Sequence, residues 1–263
     1  MKTMKILCMI PTFNEAENIK DLISEILKIK INNNIKDANN INDTNNINDV
    51  KDIYDINVLV VDDDSPDGTW KIVKEIVSEN KKVHLLHRTK NKGRGYSGRA
   101  GFKWALENNY DAVIEMDADF SHHPRHIPDL LKGLENADMV LGSRMVSGGK
   151  DLRKEWARRN LTKLANLYIR LVLGIKVRDC NSGYRAYTRK ALEKINVNKL
   201  FAEGPLTVQE ILYRAKLAGL KIREVPIIFI EREKGESTLT LKKIWQGYSG
   251  VVKLRLMRMF GKI

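Results

Sequence analysis

An α/β fold with a mostly parallel sheet flanked by helices is the architecture this sequence predicts, and three observations predict it. Short β-rich runs alternate with amphipathic stretches through the first half of the chain, the pattern of parallel strands joined by crossover helices. Clusters of polar residues follow directly on the apolar runs, at the carboxyl ends of strands where such sheets place their ligands. With 43% hydrophobic and 30% charged residues among 263, the chain has material for a large core, and no apolar run nears the roughly 20 residues of a bilayer span.

The elements follow in order. Residues 5–10 read as the first strand rather than a signal peptide, because Pro11 and a charged segment arrive too soon. An amphipathic stretch at 15–30 follows as the first helix. Residues 31–55, INNNIKDANNINDTNNINDVKDIYD, are almost wholly Asn, Asp, Ile and Lys. Asn and Asp favour turns, and the isoleucines are too sparse for a core, so this is a low-complexity surface insertion. Strands are then expected at 56–61, 83–86, 112–116 and 139–141, with helices at 69–79, 98–108 and 128–135 between and after them. The second half gives a helix at 154–173, a polar loop with GYRAYT at 183–188, a helix at 206–218, a strand at 222–230 and a last helical pattern at 241–259. A single domain over 1–235 and a C-terminal amphipathic helical segment over 236–263 are expected. That final helix interleaves Ile244, Trp245, Tyr248, Val251 and Leu254 with Lys242, Lys243, Lys253, Arg255 and Arg258. It reads both as a helix packed on the body and as a basic helix lying on a membrane.

The net charge of +13 favours an anionic partner: nucleic acid, a membrane surface or phosphorylated substrates. The basic residues are dispersed and no nucleic-acid motif is present, which argues against nucleic acid. Cys8 and Cys180, the only two cysteines, lack metal-ligand spacing and suit a reduced, cytosolic protein.

The strand ends carry the chemistry. Pro11-Thr12-Phe13-Asn14-Glu15 ends the first strand, with Asn14 or Glu15 placed to begin a helix. After the second comes Asp62-Asp63-Asp64-Ser65-Pro66-Asp67-Gly68. Turn chemistry explains its latter part; a carboxylate at Asp62 or Asp63 can accept from the N–H edge of a nucleobase. The glycines of Asn91-Lys92-Gly93-Arg94-Gly95-Tyr96-Ser97-Gly98 imitate GxGxxG. No acidic residue stands at the right distance in a matching βαβ unit, which excludes nicotinamide and flavin chemistry, but Lys92, Arg94 and Arg99 remain able to approach phosphate. Glu115-Met116-Asp117-Ala118-Asp119-Phe120-Ser121 then sets two carboxylates at one point, unfavourable unless a cation or proton lies between them. Oxygen ligands with the Ser121 hydroxyl close by suit Mg²⁺ or Mn²⁺ shared with phosphates. His122, His123 and His126 lack the spacing of a closed zinc site.

In order, the motifs PTFNE, VVDDDSPDGT, NKGRGYSGRAG, MDADFSHHP, GSR, NSGYRAY and REVPIIFIEREKGEST resemble the family 2 glycosyltransferases of GT-A fold, and among them the dolichyl-phosphate mannose synthases. The resemblance covers nearly all of the chain but the Asn-rich insertion. It implies an inverting transfer of mannose from GDP-mannose to dolichyl or another polyprenyl phosphate, for glycosylation or glycolipid synthesis. It also implies a protein that is cytoplasmic and peripheral on the cytoplasmic membrane face, with an integral-membrane anchor subunit as a candidate partner. Pro11, Phe13, Glu15, Val61 and Asp63 match positions lining the guanosine. Asp117, Ala118 and Asp119 match the metal-and-diphosphate motif, with Ser121 standing where many relatives carry Gln. Arg144 matches an arginine that reaches the donor phosphates, Arg232 a loop closing over the site, and Arg158 an arginine meeting the acceptor phosphate. Asp119 and Arg144 are thereby the expected catalytic pair, and Asp117, Asp119 and Ser121 the expected metal ligands. Thr238 replaces a lysine common in relatives. Glucosyl or N-acetylglucosaminyl transfer from a UDP-sugar stays open as an alternative, and so does a non-catalytic protein binding anionic lipid or nucleic acid.

Overall fold

Strands that are buried on both faces should read as continuous apolar runs, and the first strand, β1 (Met4–Thr12), has no solvent-exposed side chain from Ile6 to Ile10. The computed structural model describes residues 3–29, 54–231 and 241–261, with side chains in the last segment from 247 onward. After β1 come α1 (Ile19–Leu27), β2 (Tyr54–Asp62), α2 (Thr69–Glu79), β3 (Val83–His87), α3 (Arg94–Glu107) and β4 (Ala112–Glu115). A 3₁₀ turn at Pro124–His126 leads into α4 (Ile127–Leu134), then β5 (Met139–Ser143), β6 (Lys150–Asp151) and α5 (Trp156–Leu173). The chain continues through β7 (Arg185–Thr188), α6 (Arg189–Ile195), α7 (Leu206–Leu217), β8 (Ile222–Pro226), β9 (Ile228–Phe229) and α8 (Leu241–Met259).

Seven strands form one sheet in the order β3-β2-β1-β4-β7-β5-β8. All neighbours run parallel except β7, which is antiparallel to both β4 and β5. Alternation along β1 divides the core. Leu7 and Met9 face one layer with residues of α3, α5, α6, α7 and α8, whereas Ile6, Cys8 and Ile10 face the other with α1 and α4. Burial pushes the thiols of Cys8 and Cys180 up to about 12, so both are packing groups rather than nucleophiles.

The mostly parallel sheet flanked by helices is as expected, and several boundaries move for physical reasons. The first helix begins at Ile19 rather than at 15, because the backbone N–H of Asn18 closes a turn on the Glu15 carbonyl and Asn14 sits at φ 61°. Tyr54 and Asp55, assigned from sequence to the insertion, pair with Met4 and Lys5 and belong to β2; the rest of that segment, 31–53, lies outside the described residues. The run 222–230 is two strands. β8 ends at Pro226, and β9 pairs with β6 in a separate two-stranded sheet. The core-packing reading of α8 holds for Val251 and Leu254, while Val252, Leu256, Met259 and the following Phe260 are exposed. The expected domain boundary at 235/236 falls outside the described residues.

Candidate functional site

Parallel strands end on one edge of a sheet, and the polar motifs converge there. The ends of β1 and β2 are locked together by Asp62, which is fully buried. Its carboxylate accepts from Thr12 Oγ1 at 2.8 Å, Ser65 Oγ at 2.7 Å and Ser65 N at 2.9 Å. Ser65 Oγ in turn accepts from Asn14 N at 3.0 Å. Asp67 performs the same task one turn later, accepting from Ala16 N and from both Thr69 N and Thr69 Oγ1. These two acids are struts. Asp63 is also buried; it accepts from Gly93 N at 2.6 Å and is ion-paired with Arg88. Burial pushes its carboxyl up despite those partners. Asp64 points outward instead, to Lys92 at 2.9 Å and His87 at 3.0 Å, with His87 stacked on Trp70.

Between them opens a cleft of about 470 Å³ lined by Phe13, Asp64, Ser65, Trp70, Lys71 and Lys92. A lining that includes Phe13 and Trp70 with a polar rim suits a flat heteroaromatic ring. Of the residues expected around a nucleoside, Phe13 lines this cleft and is half-exposed. Pro11 and Val61 are register partners just behind it, with the Val61 side chain in the core. The Glu15 carboxylate accepts from Asn18 Nδ2 at 2.9 Å.

The end of β4 holds the second group. Asp119 is buried, and its Oδ1 accepts from Ser121 Oγ at 2.6 Å and Ser121 N at 3.1 Å. Asp117 is less enclosed; Arg94 Nη1 donates to its Oδ1 at 2.5 Å. Ala118, between them, packs into the core. His122 is buried, and its Nδ1 accepts from the Asp117 backbone N–H at 3.1 Å while the ring stacks on Tyr184. Burial pushes the His122 pKa down. Its nitrogen is therefore committed to shaping the loop. Among the described residues no three His, Cys, Asp or Glu side chains gather as a self-sufficient metal site. Two carboxylates beside a hydroxyl, all oxygen, fit a hard divalent cation that completes its shell with phosphate and water, and do not fit zinc.

The end of β5 supplies Arg144. Its Nε and Nη2 each donate to the Asp179 carboxylate at 2.8 Å, and its backbone N–H does so at 3.0 Å. Burial alone would raise the Asp179 pKa, but Arg144 holds it below the usual carboxylate range. Asn166 of α5 donates to the same acid at 3.3 Å, Asn181 donates to Asn166 Oδ1 at 2.8 Å, and Gln209 of α7 donates to Asn181 at 2.7 Å. A polar chain from two helices thus fixes Arg144. The largely buried Arg144 also lines a second cleft, about 330 Å³, together with Asp151, Trp156, Arg159, Asn160 and Lys163. The structure does not bring Arg158 there. That side chain turns to Glu155 at 2.8 Å, and its neighbour Arg159 lines the cleft. Arg232, like Thr238, lies outside the described residues. Sequence reasoning missed Asp179 and Arg159; the signal was present in the DCNSG loop and in the one-turn repeat of Trp156, Arg159, Asn160 and Lys163 along α5.

Comparison with known proteins shows the family of the chain and its fold. The family profile for Glycosyl transferase family 2 matches residues 8–196. The chain is 37% identical over 237 residues to the undecaprenyl-phosphate mannosyltransferase of Micrococcus luteus, covering 90% of this chain and 88% of that protein. To the polyprenol monophosphomannose synthase of Mycolicibacterium smegmatis it is 36% identical, covering 90% and 82%. To the dolichol-phosphate mannosyltransferase of Pyrococcus furiosus it is 35% identical, covering 99% of this chain and 66% of that longer protein. Among solved structures, glucosyl-3-phosphoglycerate synthase of Mycobacterium tuberculosis, in complex with Mn²⁺, UDP-glucose and phosphoglyceric acid, superposes with TM-score 0.64 at 19% identity, covering 97% of this chain and 79% of that one. This bears out the GT-A-like architecture.

Proposed function

We propose, from the premise that the chain belongs to glycosyl transferase family 2, that this glycosyltransferase moves mannose from GDP-mannose to the phosphate of a polyprenol, with inversion at the anomeric carbon. Relatives named for mannosyl transfer to undecaprenyl, polyprenol and dolichol phosphates support the sugar and the acceptor class. The single observation that carries the reading is the order of three features along one sheet edge. The aromatic cleft lies at β1 and β2, the paired carboxylates at β4, and the basic cleft with Arg144 at β5. A nucleoside, its diphosphate and an anionic acceptor need that sequence of environments.

The guanosine is read as sitting at Phe13, with Pro11, Glu15, Val61 and Asp63 forming the strand ends that support it. Asp117, Asp119 and Ser121 are the residues that would hold Mg²⁺ or Mn²⁺, which supplies Lewis-acid stabilisation of the leaving diphosphate. Ser121 serves by donating to Asp119 and fixing its orientation. The acceptor is a phosphate monoester with a second pKa of about 6, already anionic and needing little general-base help. His122 is consistent with that, since its Nδ1 is taken by a backbone N–H. Arg144, Arg159 and Lys163 offset the repulsion between two anionic substrates. Arg158 and Arg232 belong to the same reading as further cations for the acceptor and donor.

A lipid acceptor calls for a membrane surface. No described helix is long and apolar enough to cross a membrane. However, α5 exposes Trp156, Leu161, Leu164, Leu167 and Leu171 beside the basic cleft. With Arg158, Arg159 and Lys163 at its start, this face suits peripheral attachment to an anionic leaflet, the cytoplasmic one in this reading, with an integral-membrane subunit as a further anchor. The test is direct. The protein is incubated with polyprenyl phosphate and labelled GDP-mannose, UDP-glucose or UDP-N-acetylglucosamine, with and without chelator. Lipid labelling from GDP-mannose alone, lost in chelator, is expected. Labelling only from a UDP-sugar overturns the donor, and equal labelling in chelator overturns the cation.

A further inference from the structure

Arg94 opens α3 from a loop that leaves its side chain reaching across the site. Its Nη1 is 2.5 Å from Asp117 Oδ1, and its Nη2 is 3.7 Å from Glu115 Oε1. Gly183 leaves room for the guanidinium, since a Cβ there would come within 2.7 Å of Nη2. Glu115 is a buried carboxylate on β4 that also accepts from Tyr187 Oη at 3.1 Å. Asp117 and Glu115 are thus two seats for one guanidinium, side by side. The seat at Asp117 is partly open to solvent and the seat at Glu115 is not.

We propose that Arg94 is a built-in counter-ion for Asp117, which a divalent cation must displace toward Glu115 before Asp117 can ligate it. This rests on the cation reading above. The physical reason is charge. A guanidinium and a divalent ion on the same carboxylate oxygen repel each other, so the two occupy Asp117 alternately. In the apo protein Arg94 therefore offsets the charge of Asp117 without metal, which eases its repulsion with the nearby Asp119 carboxylate. The consequence is weak affinity for a bare cation. Binding becomes favourable when a diphosphate adds its own oxygens and negative charge to the shell. Arg94 in this view is a positioning residue that sets when the site accepts its ion.

The test measures Mn²⁺ binding to the full chain, without nucleotide, from the EPR signal of the free ion. A partly exposed charge-assisted pair of this kind is worth about three- to tenfold in an equilibrium constant. Arg94→Leu and Arg94→Gln are expected to bind Mn²⁺ tighter than the parent by that factor. Arg94→Lys, which keeps the charge, should stay near the parent value, and Asp117→Asn should lose binding. Thermal melts of each variant confirm folding, and two neutral replacements guard against one that fails to fold. Unchanged or weaker Mn²⁺ affinity in the neutral variants, with Asp117→Asn silent, overturns the role of Arg94 alone. Equal binding by the parent and Asp117→Asn overturns the cation reading itself, and this inference with it.

Discussion

Asp179 accepts three hydrogen bonds from Arg144, two from the guanidinium and one from the backbone N–H, and has no solvent exposure of its own. Removing one partner of a buried ion pair leaves the other charge uncompensated, which costs about 3 kcal/mol or more. Asp179→Asn is therefore expected to lower Tm by on the order of 10 °C, and to lower turnover as Arg144 loses its fixed place. Calorimetry and the transfer assay check the two effects. The opposing arginine was legible from sequence because GSR belongs to a motif. Asp179 was not, because its partner is 35 residues away and a loop carries no periodicity to expose it. Asp117 and Asp119 were legible as a pair, whereas the difference between them was not. One is braced by Ser121 and the other by Arg94, and only the fold brings Arg94 across 23 residues.

At the scale of elements, the start of α3 shows how a motif can be visible and its purpose hidden. The glycines at 93, 95 and 98 imitate a phosphate cradle, but Gly95 is there for contact. A Cβ on it would lie 2.1 Å from the Ala202 carbonyl oxygen, and its own N–H donates to Glu203 O at 3.1 Å. Gly95→Ala forces backbone apart and is expected to destabilise by about 3 kcal/mol, seen as a lower urea midpoint. The apolar face of α5 makes a second prediction. Leu164 and Leu171 are 64% and 73% exposed and contribute to no core cluster. Changing both to Asp should leave Tm within about 2 °C, while binding to vesicles containing anionic lipid falls several-fold in a flotation assay. Wild-type binding to such vesicles in the double variant would remove α5 from the membrane reading. The first-half helices and strands were readable because their periods were clean. The short β6 and β9 were not, since two-residue strands leave no pattern to count, and β7 was not, since Arg185 and Thr188 make its run read as part of a polar loop.

Across the whole molecule, acid should be destabilising through its histidines, of which His126 gives the cleanest test. Its Nε2 accepts from the Ile228 backbone N–H at 3.2 Å, with Arg125, His123 and Asp129 close enough to act on it. Burial, with Arg125 and His123, pushes its pKa down against the opposing pull of Asp129. A histidine whose folded pKa lies below its unfolded value of about 6.5 supports the fold fully above that pH. That support is lost as pH falls through the folded pKa. Tm should drop from pH 7.5 to 5.5, and drop less in His126→Gln; an equal drop in both would assign the effect elsewhere. The fold class was legible in the alternation of strands and helices, but the reversal of β7 was not, because direction leaves no trace in composition. That reversed strand has a consequence for the chemistry. Lying between β4 and β5, it acts as a spacer that sets their ends two ladder steps apart, about 10 Å. In the proposed transfer, a departing diphosphate and an incoming phosphate, both negatively charged, then lie on opposite sides of one carbon with that distance between them.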